Sequence, residues 1–317
     1  MARRVKYLFM LVGAWALIFA SVSCGRRAAK DVQAHSQEKS EYVFRIPQVP
    51  PALQGEAAGL YVRKHLWDGF DFQDTLQLDG LDKRMMTQAF AVYLTTVPQH
   101  DTERHMTELM QRAATSKPML EYFLDLAENL LNDPNSPLRD DEKYIPGLEF
   151  VLSSPLLDEY EKMPYASDLQ MARQNRVGCV ANDFVYTTAD GRKRSMLKLK
   201  ADYTLIFISN PGCPMCREVK EQIMASGLLS DMIREGAMKV LVIYPDEDIE
   251  AWRESLKEYP TSWVNGYDEG MKITHERLYD LRAIPALYLL DGQKRVLVKD
   301  CADVGYIENF ILKSVAL

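Results

Sequence analysis

One stretch of the chain, residues 203–216, constrains the fold more than any other. It reads Tyr-Thr-Leu-Ile-Phe-Ile-Ser-Asn-Pro-Gly-Cys-Pro-Met-Cys. The continuous β-branched and aromatic run from Leu205 to Ile208 is typical of a buried parallel strand. Turn residues end this run, and the pattern after them indicates an amphipathic helix. The sequence therefore predicts a strand that delivers Cys213 and Cys216 to the first turn of a helix.

Two cysteines in this position have a specific chemistry. At positions i and i+3 of a helix, their sulfur atoms lie on the same side of the first turn and can close and reopen a disulfide. The free backbone N–H groups and the helix dipole favour the thiolate of the first cysteine. We therefore interpret Cys213 and Cys216 as a redox pair. A static disulfide is one alternative, and structural zinc is another, although Cys179, Cys301 and His275 offer no second close pair of ligands.

The first 24 residues have the pattern of an export signal. Arg3, Arg4 and Lys6 precede an apolar core of about a dozen residues and the small residues 20–23. This core is shorter than the roughly 20 apolar residues that a membrane span needs. Cys24 follows directly and resembles the lipidation site of bacterial lipoproteins. We therefore expect an exported protein whose Cys24 carries a lipid anchor; simple secretion and a retained signal anchor are the alternatives.

Charge separates this N-terminal part from the rest of the chain. Residues 1–40 contain seven Lys or Arg and two Asp or Glu, a net charge of +5. Because the whole chain has a net charge of −7, the remaining 277 residues have a net charge of −12. Residues 25–41 are polar and lack apolar periodicity, which predicts a flexible tether. The acidic remainder has no basic stripe that could neutralise phosphates, which argues against a nucleic-acid partner.

The region from residue 42 to 174 is predicted to be helical. Apolar residues recur at helical spacing over residues 55–67, 82–97, 101–114, 118–131 and 141–152. Asp82 and Asp101 are suitable N-caps, and Pro118 suits the first position of a helix. We interpret the aromatic residues of segment 66–72 as part of a core, with a binding groove as the alternative.

The region from residue 175 to 317 alternates strands and helices. Its predicted strands are 185–188, 195–199, 205–208, 239–244, 286–290 and 295–299. Its predicted helices are a cysteine helix that extends to residue 233, then 249–258, 274–281 and 304–313. An Asp-Gly turn joins the first two strands into a hairpin, and residues 259–273 read as irregular. This order implies an α/β fold with a mixed sheet that helices cover on both faces.

The order of strand, Cys-x-x-Cys helix, strand, helix, Ile284-Pro285 and terminal hairpin resembles the thioredoxin fold. With the Gly-x-x-Ala-x-Asp-Phe segment at 178–184, the region resembles the membrane-tethered TlpA and ResA type of thiol-disulfide oxidoreductase. The resemblance implies that Cys213 attacks the partner and that Cys216 resolves the mixed disulfide. It also implies a cis Pro285, which leaves the Ile284 backbone free to pair with an extended substrate segment.

The same resemblance implies protein thiols and disulfides as substrates, no bound cofactor, and a redox partner that recharges the site. Three positions depart from the family pattern. Phe207 stands where thioredoxin has a buried acid, Gly212 replaces the usual tryptophan, and Val219 stands where ResA-like proteins have a glutamate. Proton handling is therefore expected to differ from theirs, and Glu218 and Glu221 should point away from the thiols.

The segments at 67–72 (Trp-Asp-Gly-Phe-Asp-Phe) and 133–139 (Asp-Pro-Asn-Ser-Pro-Leu-Arg) resemble a helical domain of unknown function. That domain precedes a thioredoxin-like domain in envelope lipoproteins of Bacteroides-type bacteria and carries no assigned chemistry. We therefore expect four parts in the chain, which are a signal peptide (1–24), a tether (25–41), an all-α domain (42–174) and a thioredoxin-like domain (175–317).

Two cysteines remain once Cys24 is lipidated. Leftover cysteines commonly pair in an oxidising compartment, so we hypothesise a structural disulfide between Cys179 and Cys301; the alternative is two buried free thiols. Taken together, the sequence predicts a thiol-disulfide oxidoreductase tethered in the cell envelope. The competing hypothesis is a non-catalytic interaction protein whose helical domain binds an envelope component. The sequence does not rank reduction of client proteins above oxidation.

Overall fold

The computed structural model describes residues 44–315. The predictions for the signal peptide, Cys24 and the tether lie outside this range. Residues 44–175, here called the helical half, contain six α-helices. These are α1 (Gly55–His65), α2 (Lys83–Thr96), α3 (Thr102–Ala113), α4 (Lys117–Leu131), α5 (Asp141–Ser153) and α6 (Glu159–Ala172).

Local side chains cap the start of α2, α4, α5 and α6, and one apolar core holds the six helices together. The Asp82 side chain accepts hydrogen bonds from two backbone N–H groups in the first turn of α2. The first N–H groups of a helix have no partner within the helix, so this cap stabilises its start. Trp67, Phe70, Phe72 and Phe123 are buried in the shared core. The core interpretation of segment 66–72 is therefore confirmed.

Residues 176–315, here called the sheet half, form a seven-stranded mixed sheet with helices. The strands are β1 (Val185–Thr188), β2 (Lys193–Ser195), β3 (Tyr203–Ile208), β4 (Met238–Tyr244), β5 (Val264–Tyr267), β6 (Ala286–Leu290) and β7 (Val296–Cys301). The helices are α7 (Pro214–Ala225), α8 (Gly227–Glu235), α9 (Ile249–Ser255), α10 (Lys272–His275) and α11 (Val304–Val315).

The strand order is β2-β1-β5-β4-β3-β6-β7. The pairs β3–β4 and β4–β5 are parallel, and every other neighbouring pair is antiparallel. Because successive side chains of a strand point to opposite faces, Leu205 and Phe207 enter one apolar cluster and Ile206 and Ile208 enter another. The first cluster includes α7, α8 and α11. The predicted mixed sheet with cores on both faces is thus confirmed, and β3 is an interior strand between β4 and β6.

Several boundaries differ from the prediction. The expected single cysteine helix is two helices, because the Ser226 side chain accepts a hydrogen bond from the Leu229 N–H and caps α8. The expected strand 195–199 ends at Ser195 and continues as a short 3-10 turn. The expected helix 274–281 is wrong beyond His275, because the chain turns at Arg277, whose φ of 53° lies in the left-handed region.

Two elements were not assigned from the sequence. α6 contains Pro164 and lacks a clear apolar face, but a capping box between Asp158 and Glu161 starts it. β5 falls in the segment that reads as irregular, and Gly266 explains how it fits. A Cβ atom at Gly266 would lie 2.4 Å from Cδ2 of Tyr186 on β1, so only glycine allows the two strands to approach this closely. Within residues 44–315, no helix is both long and apolar enough to cross a membrane.

Candidate active site

The candidate site forms where β3 ends and α7 begins. The chain leaves the sheet after Ile208 and turns through Gly212, whose φ of 75° is a conformation that glycine adopts without a steric penalty. Cys213 is then the N-cap of α7, and its sulfur accepts a hydrogen bond from the Cys216 N–H at 3.1 Å. The strand, turn and helix therefore bring the two cysteines to one helix start, as predicted.

The two thiols have different environments. Cys213 is half-buried, whereas Cys216 is 3% exposed. Burial raises the pKa of the Cys216 thiol to about 12, and its hydrogen bond with Cys213 adds to this rise, while bonds with the Asn210 backbone and the Ser209 side chain oppose it. Both cysteines are free thiols in this structure. A partly accessible first thiol and a shielded, protonated second thiol suit an attacking and a resolving role.

The segment before β6 lies beside the first thiol. The Cys213 thiol is 3.8 Å from the Ile284 carbonyl oxygen and can donate a weak hydrogen bond to it. The Ile284–Pro285 peptide bond is cis, as the resemblance implies. Pro285 is buried and Ile284 is partly exposed. The structure thus brings together all four residues expected at the site.

Two further residues near the second thiol were missed from the sequence. Ser209 is buried, and its hydroxyl lies 3.0 Å from the Tyr259 hydroxyl. Lys220 on α7 lies over the Tyr259 ring, 5.3 Å from its centroid. Ser209 could have been found from its place at the end of β3. Tyr259 follows α9, fifty residues further on, and no local pattern connects it to the cysteines.

The polar side chains near the second thiol are those of Ser209 and Tyr259. Phe207 and Val219 are buried in the apolar core next to Cys216. Glu218 and Glu221 are exposed, as expected. Burial also raises the pKa of Tyr259 above its ordinary value of 10.0, so its hydroxyl stays protonated near neutral pH and can donate to Ser209.

The structure does not bring Cys179 and Cys301 together. The Cys179 carbonyl accepts a hydrogen bond from the N–H of Val296, the first residue of β7, whereas Cys301 is the last residue of that strand. Because a strand rises about 3.3 Å per residue, the two are on the order of 15 Å apart, against about 6 Å for the Cα atoms of a disulfide. Both are free thiols here, so the hypothesised disulfide is not formed. Among residues 44–315, no group of three or more His, Cys, Asp or Glu could hold a metal ion.

Comparison with known proteins agrees with this architecture. Residues 23–175 match a family described as a domain of unknown function (DUF5106). A solved structure of a thioredoxin-like protein from Bacteroides caccae is 39% identical, with a TM-score of 0.80 over 86% of this chain and 99% of that one. The C-terminal domain of an uncharacterized protein from Bacteroides fragilis is 42% identical over 44% of this chain and 98% of that one, with a TM-score of 0.43.

Among curated proteins, bovine nucleoredoxin is 25% identical over 113 residues, which are 35% of this chain and only a quarter of the bovine protein. The Bacteroides caccae relative, by contrast, is matched over nearly its whole length. The chain therefore belongs to the thioredoxin-like proteins, with a thioredoxin-like fold after a helical region that matches a domain of unknown function.

Proposed function

We propose that the protein is a thiol-disulfide oxidoreductase that exchanges disulfides with other proteins through its Cys-Pro-Met-Cys site. The observation that carries this proposal is the pair of thiols at the start of α7, with the Ile284 carbonyl 3.8 Å from Cys213. A buried structural cysteine pair would not need an accessible first sulfur beside a partly exposed backbone segment.

The reaction follows from the two thiol environments. For an oxidised client, the Cys213 thiolate attacks one sulfur of the client disulfide, forms a mixed disulfide and releases one client thiolate. Cys216 then gives up its proton and attacks the Cys213 sulfur, which frees the second client thiolate. The protein is left with a Cys213–Cys216 disulfide, and two electrons have passed to the client. A dithiol partner must return these electrons, and the reverse sequence oxidises a dithiol client.

The experiment that tests this proposal is a trap of the mixed disulfide. Cys216→Ser removes the resolving thiol, so Cys213 should stay bound to clients, and these adducts should disappear on reduction. Cys213→Ser should give none. Cys179→Ser in the Cys216→Ser background is the matched control, because Cys179 is an exposed free thiol away from α7, and it should leave the adducts unchanged. A folded Cys216→Ser variant without adducts would favour the interaction-protein hypothesis instead.

We propose further that the chain is exported and anchored to a membrane through a lipid on Cys24. The support is the positive segment, the short apolar core and the small residues before this cysteine. Phase partitioning in a detergent that clouds on warming tests the anchor. The full chain should enter the detergent phase and a Cys24→Ser variant should stay in the aqueous phase; equal partitioning of both would refute the lipid anchor.

A further inference from the structure

The residues that lead into the site have little regular structure of their own. Residues 277–285, here called the platform segment, connect α10 to β6 and end at Ile284 and Pro285. No helix or strand includes them. Their backbone therefore lacks the ladder of hydrogen bonds that fixes a regular element, and their conformation must be set by contacts with other parts of the chain.

The first contact is a buried ion pair between the two halves of the protein. Arg139, in the loop between α4 and α5, donates to the Asp280 carboxylate at 2.7 Å. The same guanidinium group forms an ion pair with Asp300 on β7 at 2.5 Å. All three side chains are largely buried, with exposed fractions of 13%, 5% and 9%. Asp280 lies four residues before Ile284, so the helical half holds the segment close to the thiol site.

The second contact is closer still to the site. Arg282 donates to Asp280 at 2.6 Å and to the Asn132 side-chain oxygen at 2.8 Å. Asn132 follows the last residue of α4 and in turn donates to Asp168 on α6 at 3.0 Å. A guanidinium group only two residues before Ile284 is therefore held between a carboxylate of its own segment and an amide of the helical half.

The start of the platform segment is fixed in the same way. Arg277 donates to the Ser167 side chain at 2.7 Å and to the Ser167 carbonyl at 3.0 Å, both on α6. The Leu278 carbonyl accepts a hydrogen bond from the Asn175 side chain at 2.7 Å. Contacts with the helical half thus lie along the segment as far as Arg282, two residues before Ile284.

The charged groups at this contact between the two halves favour a positioning role. Burial raises the pKa of Asp300 to about 6, although Arg139 opposes the rise. For Asp280, burial also acts upward, but hydrogen bonds from Arg282 and the nearby Arg139 lower the pKa below its ordinary value. Buried ion pairs often contribute no more stability than apolar side chains of the same size, but their geometry is specific.

We propose that the helical half is a positioning element for the thiol site. Arg139 and Asn132 act through Asp280 and Arg282 to hold the platform segment, so that the Ile284 backbone stays beside Cys213 and can pair with an extended client segment. This inference rests on the proposed function, since it assigns the helical half a role in client binding. Arg139 and Asn132 are positioning residues, because they act through the segment and not on the reacting sulfur atoms.

Steady-state kinetics of Asn132→Ala and Arg139→Gln test this inference. The matched control is Arg176→Gln, which removes the ion pair between Arg176 and Glu142 at the junction of the halves but leaves the platform segment alone. With insulin as the protein client, both positioning variants should raise KM about fivefold. The rate at which Cys213 reacts with the small disulfide DTNB, and the equilibrium constant of the Cys213–Cys216 couple with glutathione, should stay within about twofold of the wild-type values. The control should match the wild type in every assay.

Hydrogen exchange provides a readout that does not need activity. Backbone amides of residues 279–284 should exchange about tenfold faster in both positioning variants and at the wild-type rate in the control. If Arg139→Gln does not fold, Asn132→Ala alone tests the positioning role. Unchanged KM and exchange, or equal changes in Arg176→Gln, would overturn the positioning role. Wild-type protein whose Cys213 and Cys216 do not exchange disulfides with insulin would overturn the proposed function, while the hydrogen-exchange rates would still decide whether the helical half holds the segment.

Discussion

Replacement of Arg139 should destabilise the protein in a way that depends on pH. Arg139→Gln leaves the buried carboxylates of Asp280 and Asp300 without their shared cation, although Asp280 keeps Arg282. Breaking a buried pair by removing one partner typically costs about 3 kcal/mol or more. We therefore expect the free energy of unfolding to fall by about 3 kcal/mol near pH 7.5.

The sign of the pH effect follows from Asp300. Its pKa is about 6 in the folded protein and 3.8 ordinarily, so the folded state binds more protons between these values and stability falls as pH rises through this window. Arg139 lowers this pKa, so its loss should move the upper edge of the window to higher pH. The loss in free energy of unfolding caused by Arg139→Gln should therefore be largest above pH 7 and smallest near pH 4.

Urea unfolding of both proteins between pH 4 and 8 measures this deficit. The matched control is Arg173→Gln, which removes the exposed ion pair between Arg173 and Glu149. Exposed pairs contribute about 0–1 kcal/mol, so the control should lie close to the wild type at every pH. A loss of stability in Arg139→Gln that is equally large at pH 4 and pH 8, or no larger than that of the control, would show that Arg139 does not compensate the buried carboxylates.

Three further predictions concern single side chains. Ser209→Ala removes a hydrogen bond that opposes the rise in the Cys216 pKa, so a mixed disulfide with Cys213 should resolve about threefold more slowly in stopped-flow assays, and resolution in the wild type should speed up as pH rises from 7 to 9. Tyr259→Phe, which keeps the serine hydroxyl, serves as the comparison, and an equal slowing there would contradict the assignment. Gly266→Ala should cost about 1–3 kcal/mol in thermal or urea unfolding because its Cβ meets Tyr186, whereas Gly227→Ala, with open space around its Cβ, should be nearly neutral. Mass mapping of non-reduced peptides should find Cys179 and Cys301 alkylated separately; a joined peptide would contradict the separation along β7.

Much of the thiol site could be predicted because its signals are local. The run from Leu205 to Ile208, the turn residues and the pair Cys213 and Cys216 are contiguous in the sequence, and the helix start follows from them. The cis Pro285 is more distant, and it was inferred only because the order of elements resembles a known fold. Strands β3, β4 and β6 were predicted from local signals as well, because each is a continuous apolar run between turn residues.

The errors occur where tertiary contacts override local pattern. Residues 276–281 have helical spacing, but Arg277, Leu278 and Asp280 make hydrogen bonds to other segments that a helix would not allow. β5 is short and contains a glycine, and it forms because β1 and β4 pair with it on either side. The bonds from Arg139 to Asp280 and from Ser209 to Tyr259 join residues 141 and 50 positions apart, and no periodicity records such contacts.

The proposed function requires Cys213 and Cys216 to form a reversible redox couple. Its most direct test is the reduction potential of the protein, measured by equilibration with glutathione or dithiothreitol buffers and quantification of alkylated thiols. We expect a reversible two-electron transition at Cys213 and Cys216, between about −120 mV for a strong oxidant and about −270 mV for a reductant. Thiols that do not titrate reversibly in this range would contradict it and leave the cysteines a structural role.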